Sequence, residues 1–132
     1  MKKAILSGLI AFGAVAVFFL FYLISTKPQY AGAYSVEEYS EYILEERFQT
    51  DRQYGEISGV SSAAKAGKMA ISDRFENAGG DLWEWMGCDI QYDQESDTYY
   101  IRTYHLSPRV AGGAYDVIIR SDGTVLAIWG ED

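Results

Sequence analysis

Cys88 and His105 are the only cysteine and the only histidine in the chain. Any Cys–His or Ser–His–Asp chemistry would have to be built around that one imidazole. The strands read below place the two residues on neighbouring strands, so a thiol–imidazole pair could form. Such a pair also needs a cleft and an orienting third group. Cys88 stands between Trp85-Met86 and Ile90, a strand-interior setting in which free cysteine packs as a small hydrophobe. His105 reads as the residue closing a strand end. One histidine and one cysteine are too few for zinc, which takes three or four ligands. Asp93-x-Glu95-x-Asp97 has the opening spacing of a calcium loop. It lacks the glycine at the sixth position and carries Tyr104 in place of Glu at the twelfth, so it reads as a polar hairpin turn. Asp89, Asp93 and Asp116 could supply a carboxylate pair, as any acidic surface could. No glycine-rich phosphate loop is present. The chain is expected to be a binding protein without metal or cofactor, not an enzyme.

Binding has better material. The chain holds three Trp and eleven Tyr, and these types dominate interface hot spots as well as strand interiors. Trp83 and Trp85 alternate with acids beside Gly79-Gly80, and Tyr100 and Tyr104 share a strand face with Arg102. With the acidic turn, the expected partner-binding residues are Trp83, Trp85, Asp93, Glu95, Asp97, Tyr100, Arg102 and Tyr104.

Compartment follows from the amino terminus. Ala4 to Ser25 is an uncharged, predominantly apolar run, long enough to cross a bilayer. Its apolar core exceeds that of a signal peptide, and no small-x-small site lies close behind it. It reads as a retained signal anchor. Lys2 and Lys3 precede it and only Lys27 follows it, which places the amino terminus in the cytoplasm and the remainder outside. All 19 acids but only eight of the 11 cations lie beyond Lys27, leaving the outer domain at about −11. Such a domain suits no nucleic acid, whose binders show basic faces, and an anionic lipid surface would repel it. It suits a basic protein partner. A lone cysteine forms no internal disulfide, so the domain must be held by its core.

The organisation expected is residues 1–27 as anchor, 28–34 as tether and 35–132 as one α+β domain. Ser35-Val36-Glu37-Glu38 has the form of a capping box, opening a helix from Ser35 to about Gln53. Gly59 to Asn77 carries Val60, Ala64, Gly67, Ile71 and Phe75 on one stripe with Ala63, Ala66 and Ala70 beside it, the pattern of a helix lying close on a sheet. After Gly80 the period becomes two. Strands are expected at Trp83–Tyr92, Thr98–Leu106, Tyr115–Arg120 and Thr124–Trp129, the last two joined at Ser121-Asp122-Gly123. Tyr99, Ile101 and Thr103 should face one way, Tyr100, Arg102 and Tyr104 the other. Two helices on one face of an antiparallel meander of about four strands is the expected architecture.

Ala63 to Trp129 combines AAKAGKMAISDRF, YDQESDTYYIRTYHL, GGAYDVII and SDGTVLAIWG. This combination resembles the short bacterial immunity proteins with a nuclear transport factor 2 (cystatin-like) fold, most clearly at Gly112-Gly113 and at Asp122-Gly123-x-Val125-Leu126. The resemblance spans about half the chain. It implies a curved sheet covered by helices, and a protein that neutralises a bacterial toxin by binding and occluding it. Gly113, Asp122 and Gly123 are markers of that fold rather than contact residues. The anchor, the helix at Ser35 and the acidic ending Gly130-Glu131-Asp132 are departures from the family pattern. The chain also resembles PepSY-type domains, which implies regulation or inhibition of a peptidase at the cell envelope.

Overall fold

The computed structural model describes residues 28–75, 86–105 and 114–131. The anchor expected over residues 4–25 lies outside them, as do Trp83, Trp85 and Gly112-Gly113. Among the described residues no helix is long and apolar enough to cross a membrane.

The elements are β1 (Gln29–Ala33), α1 (Ser40–Leu44), α2 (Val60–Arg74), β2 (Met86–Asp93), β3 (Thr98–His105), β4 (Ala114–Arg120) and β5 (Val125–Glu131). They build an α+β unit around one open sheet in the order β1-β2-β3-β4-β5. The expected meander is present as β2 to β5, antiparallel throughout. The fifth strand corrects the reading of residues 28–34 as a tether. Gln29–Ala33 pairs parallel with β2, Gln29 against Asp89 and Ala33 against Tyr92. Its small residues Ala31, Gly32 and Ala33 gave no alternating signal, and an edge strand needs none when a neighbour supplies the ladder.

The helix expected from Ser35 to Gln53 is also corrected. The chain forms a 3-10 turn at Val36–Tyr39, the five-residue α1, and a second 3-10 turn at Glu46–Phe48. Glu45 adopts an extended conformation between the last two. Ser35 makes no side-chain cap, so the capping box does not form. Two forces favour the break. Glu37, Glu41 and Glu45 lie four apart, where like charges destabilise an α-helix. Tyr39, Tyr42 and Phe48 all reach the Trp129 ring, which a straight helix of that length would not allow.

α2 follows its pattern more closely. Ala63, Ala64, Ala66, Gly67, Ala70 and Ile71 are buried, and Ser62 Oγ accepts the Gly59 backbone N–H at 3.1 Å to close the amino end. The stripe packs against Cys88, Ile90, Ile101, Val117, Ile119, Val125 and Ile128 on the first face of the sheet. A Cβ built on Gly67 would stand 2.9 Å from two carbons of Ile101, and Ile101 is fully buried. Gly67→Val should therefore cost about 2 kcal/mol, because overpacking a filled core outweighs the gain of replacing a helical glycine. An unchanged melting temperature would show that the helix can lift from the sheet.

The second face is covered too, which corrects the expectation of helices on one face only. Tyr100, Ile118, Ala127 and Trp129 form a second core, closed by Tyr34, Val36, Tyr39, Ile43 and Phe48 from the α1 region. The alternation in β3 holds as read: Ile101 joins the first core and Tyr100 the second. In β5 it is interrupted. Ile118 pairs with Ala127 but Ile119 pairs with Val125, so Leu126 is an extra, bulged residue. The bulge lets both Val125 and Ile128 reach the first core.

Candidate functional site

The expected contact residues separate into two groups. At the β2–β3 turn, Asp93 and Asp97 are occupied within the fold. Asp93 Oδ2 accepts the Val36 backbone N–H at 3.0 Å, and Oδ1 accepts that of Glu95 at 3.0 Å. These bonds, the Val36 one foremost, hold its carboxyl below the usual range. Asp97 sits at φ 55 and accepts from the Ser121 and Tyr92 hydroxyls. Those bonds, Ser121 first, likewise depress its pKa. The two aspartates tie the turn to the α1 region and to the β4–β5 hairpin. Glu95 is exposed.

The second group lies at the other end of the strands, on the second face. Strand register sets Arg102 between Asp89 on β2 and Asp116 on β4. Arg102 Nε donates to Glu131 Oε2 at 2.9 Å and stands 3.9 Å from Asp116 Oδ1. The Glu131 contact raises the guanidinium pKa further. Tyr104 Oη donates to Asp89 Oδ1 at 3.3 Å. Burial pushes the Tyr104 phenol upward, with Asp89 adding to it. A Cβ on Gly87 would overlap the Tyr104 ring at 2.5 Å, so the ring lies directly over the β2 backbone. Arg102 and Glu131 are exposed, and Asp89 and Tyr104 half-buried.

Tyr100 is reassigned by the structure. It is only 8 % exposed, its ring lies 4.8 Å from that of Tyr39, and its hydroxyl donates to Asp116 Oδ1. It belongs to the second core and supports the open end from below.

Asp116 is fully buried. Its Oδ2 has no hydrogen-bond donor, and its carboxyl pKa is pushed up to about 7, first by burial and then by the Glu131 carboxyl beside it. Neither the burial nor the Glu131 partnership was expected from the sequence. The available signal was a single acid inside AYDVII, whose other residues are apolar or aromatic, a setting where a buried acid is rare unless it is paired.

The thiol–imidazole pair has little support. Cys88 is 1 % exposed in the first core beneath α2, and burial raises its thiol to about 11. A thiol so placed stays protonated at neutral pH and is a poor nucleophile. It pairs directly with Thr103, while His105 pairs with Met86. Among the described residues no three His, Cys, Asp or Glu side chains come together to hold a metal. The described arrangement is a charged and aromatic rim, Asp89, Arg102, Tyr104 and Glu131, beside a buried acid, Asp116. No protein-family model matches the chain, and no curated protein or solved structure does.

Proposed function

We propose that this chain is a membrane-anchored binding protein of the immunity type, whose outward-facing domain neutralises a basic bacterial toxin by occlusion. The observation that carries the reading is the uneven covering of the second sheet face. One part is closed by the aromatic layer from the α1 region. The other presents Asp89, Arg102, Tyr104 and Glu131 at or near the surface. Tyr and Arg are the anchors that binding surfaces favour, and a net charge of about −11 would speed encounter with a basic partner. The resemblance to immunity proteins supplies the toxin, and the apolar amino-terminal run supplies the compartment.

The test uses the full-length chain in lipid nanodiscs, mixed with secreted and envelope fractions at low and moderate salt. The expected result is capture of a basic toxin whose activity falls on binding, with affinity decreasing as salt rises. Tyr104→Ala is expected to weaken that complex at least tenfold, about 1.4 kcal/mol. A toxin bound equally well by this variant would remove the open sheet end as the contact surface. Capture of a peptidase instead would replace the immunity reading with the PepSY-like one.

A further inference from the structure

Buried carboxylates are tolerated when every lone pair is matched to a donor. Asp116 is fully buried and does not meet that condition as an anion. The groups around it can be named by element. From β3, Tyr100 donates its hydroxyl to Oδ1, and Arg102 Nε lies 3.9 Å from the same oxygen while bonding Glu131 at 2.9 Å. From β5, Glu131 shares that Arg102 nitrogen with Asp116, and its carboxyl adds to the upward push on the Asp116 pKa. From the α1 region, Tyr39 packs on Tyr100. From β2, Asp89 accepts from Tyr104. Oδ2 is thus left with no hydrogen-bond partner among these groups, and Glu131 as a carboxylate offers only acceptors. Two carboxylates held at one guanidinium nitrogen repel each other, and a hydrogen on one of them relieves that repulsion.

We infer that Asp116 and Glu131 hold one proton between them near neutral pH, and that this carboxyl pair is a pH-sensing element under the open end of the sheet. Glu131 is the exposed member, bonded to Arg102, and its own pKa is lowered first by that bond and then by Asp116. The proton therefore resides on Asp116, the fully buried member. Its loss leaves a second negative charge beneath Arg102, with no added donor to receive it. The Tyr100 hydroxyl bond, which ties the aromatic layer to β4, then rests on a buried anion.

The direction of the effect follows from linkage. Asp116 is raised from 3.8 unfolded to about 7 folded, so the folded chain binds the extra proton between these values. The stability it contributes is complete below about pH 4 and is lost progressively as pH rises to about 7, with no further change above. Between pH 5 and pH 8 this one site would lower the folded-to-unfolded ratio by about 100-fold.

The experiment is a set of thermal melts of the full chain in nanodiscs from pH 5 to pH 9, for the unaltered protein and for Asp116→Asn. Asparagine copies the shape and donor capacity of the protonated acid but cannot titrate. The unaltered protein should lose melting temperature across neutral pH, while D116N holds its pH 5 value and becomes the more stable of the two at pH 8. Parallel pH profiles for the two proteins would overturn the inference. If D116N does not fold, the carboxyl carbon of Asp116 is titrated by NMR in the unaltered protein. A midpoint near neutrality upholds the shared proton, and an ordinary midpoint near 4 overturns it.

Discussion

Trp129→Ala is expected to lower the stability of the domain by about 3–5 kcal/mol, the range for removing a large buried aromatic. Trp129 is 6 % exposed and is the hub of the aromatic layer. Tyr42 stacks on it at 4.3 Å, with Tyr39 at 6.0 Å, Tyr100 at 6.1 Å and Phe48 at 6.2 Å. The α1 region has only five residues of α-helix, too few to be stable by themselves. It stays on the sheet through this layer and the Asp93–Val36 bond. The substitution should thus have a local signature as well as a global one. Residues 36–48 should become open to proteolysis at temperatures where the α2 side of the sheet is still protected. A domain of this size should lose at least about 12 °C in melting temperature. Leu44→Ala is the control: Leu44 is 80 % exposed and should change the midpoint little. Equal protease resistance of Trp129→Ala and the unaltered chain would show that something other than the aromatic layer holds the α1 region in place.

The second large effect is expected at Gly123, where Gly123→Val should cost at least about 3 kcal/mol through backbone strain and backbone collision together. Gly123 sits at φ +91 in the β4–β5 turn, and a Cβ there would stand 2.3 Å from the Gly55 carbonyl oxygen and 2.5 Å from its nitrogen. The collision is with main chain, so no rotamer change relieves it. The segment that must move is the one that docks here: Tyr54 N–H donates to Gly123 O at 3.1 Å, and Ile57 N–H donates to Ser121 O at 2.8 Å. Ile57 is in the first core, so displacing residues 53–57 unseats the approach to α2. Gly55→Ala separates the two causes. Gly55 is also at positive φ, but a Cβ on it meets nothing within 4 Å, so only strain applies. A Gly123→Val loss no greater than that of Gly55→Ala would remove the collision from the explanation.

The pH response of the Asp116–Glu131 pair bears on the proposed binding surface. Both flank Arg102, the residue set between the acids of β2 and β4. A surface that gains a negative charge as pH rises would hold a basic partner more tightly at alkaline pH, while the domain itself becomes less stable. The two trends run in opposite directions and are separable by measuring affinity and melting temperature on the same samples.

The features legible along the chain were periodic ones. Alternation in TYYIRTYH assigned Ile101 and Tyr100 to opposite faces, the alanine stripe from Ala63 to Ala70 selected the side of α2 that meets the sheet, and Asp122-Gly123 marked the final hairpin. Each is a local signal: side-chain direction repeats at two or 3.6 residues whatever the chain packs against. The environment of Cys88 was legible for the same reason, since its strand neighbours are apolar. Partnership across distance came from the fold in space. β1 is a strand because β2 supplies its ladder, 60 residues on. The acid-rich segment after Ser35 breaks into short turns because Trp129 gathers its aromatic rings. Asp93 and Asp97 read as free surface acids, yet their oxygens are taken by Val36 and by Tyr92 and Ser121. Gly123 was legible as a turn residue but not as the seat of Gly55. Asp116 was one acid among 19 until β5 brought Glu131 beside it. Desolvation and pairing are properties of what surrounds a side chain in space, and no spacing along the chain encodes them.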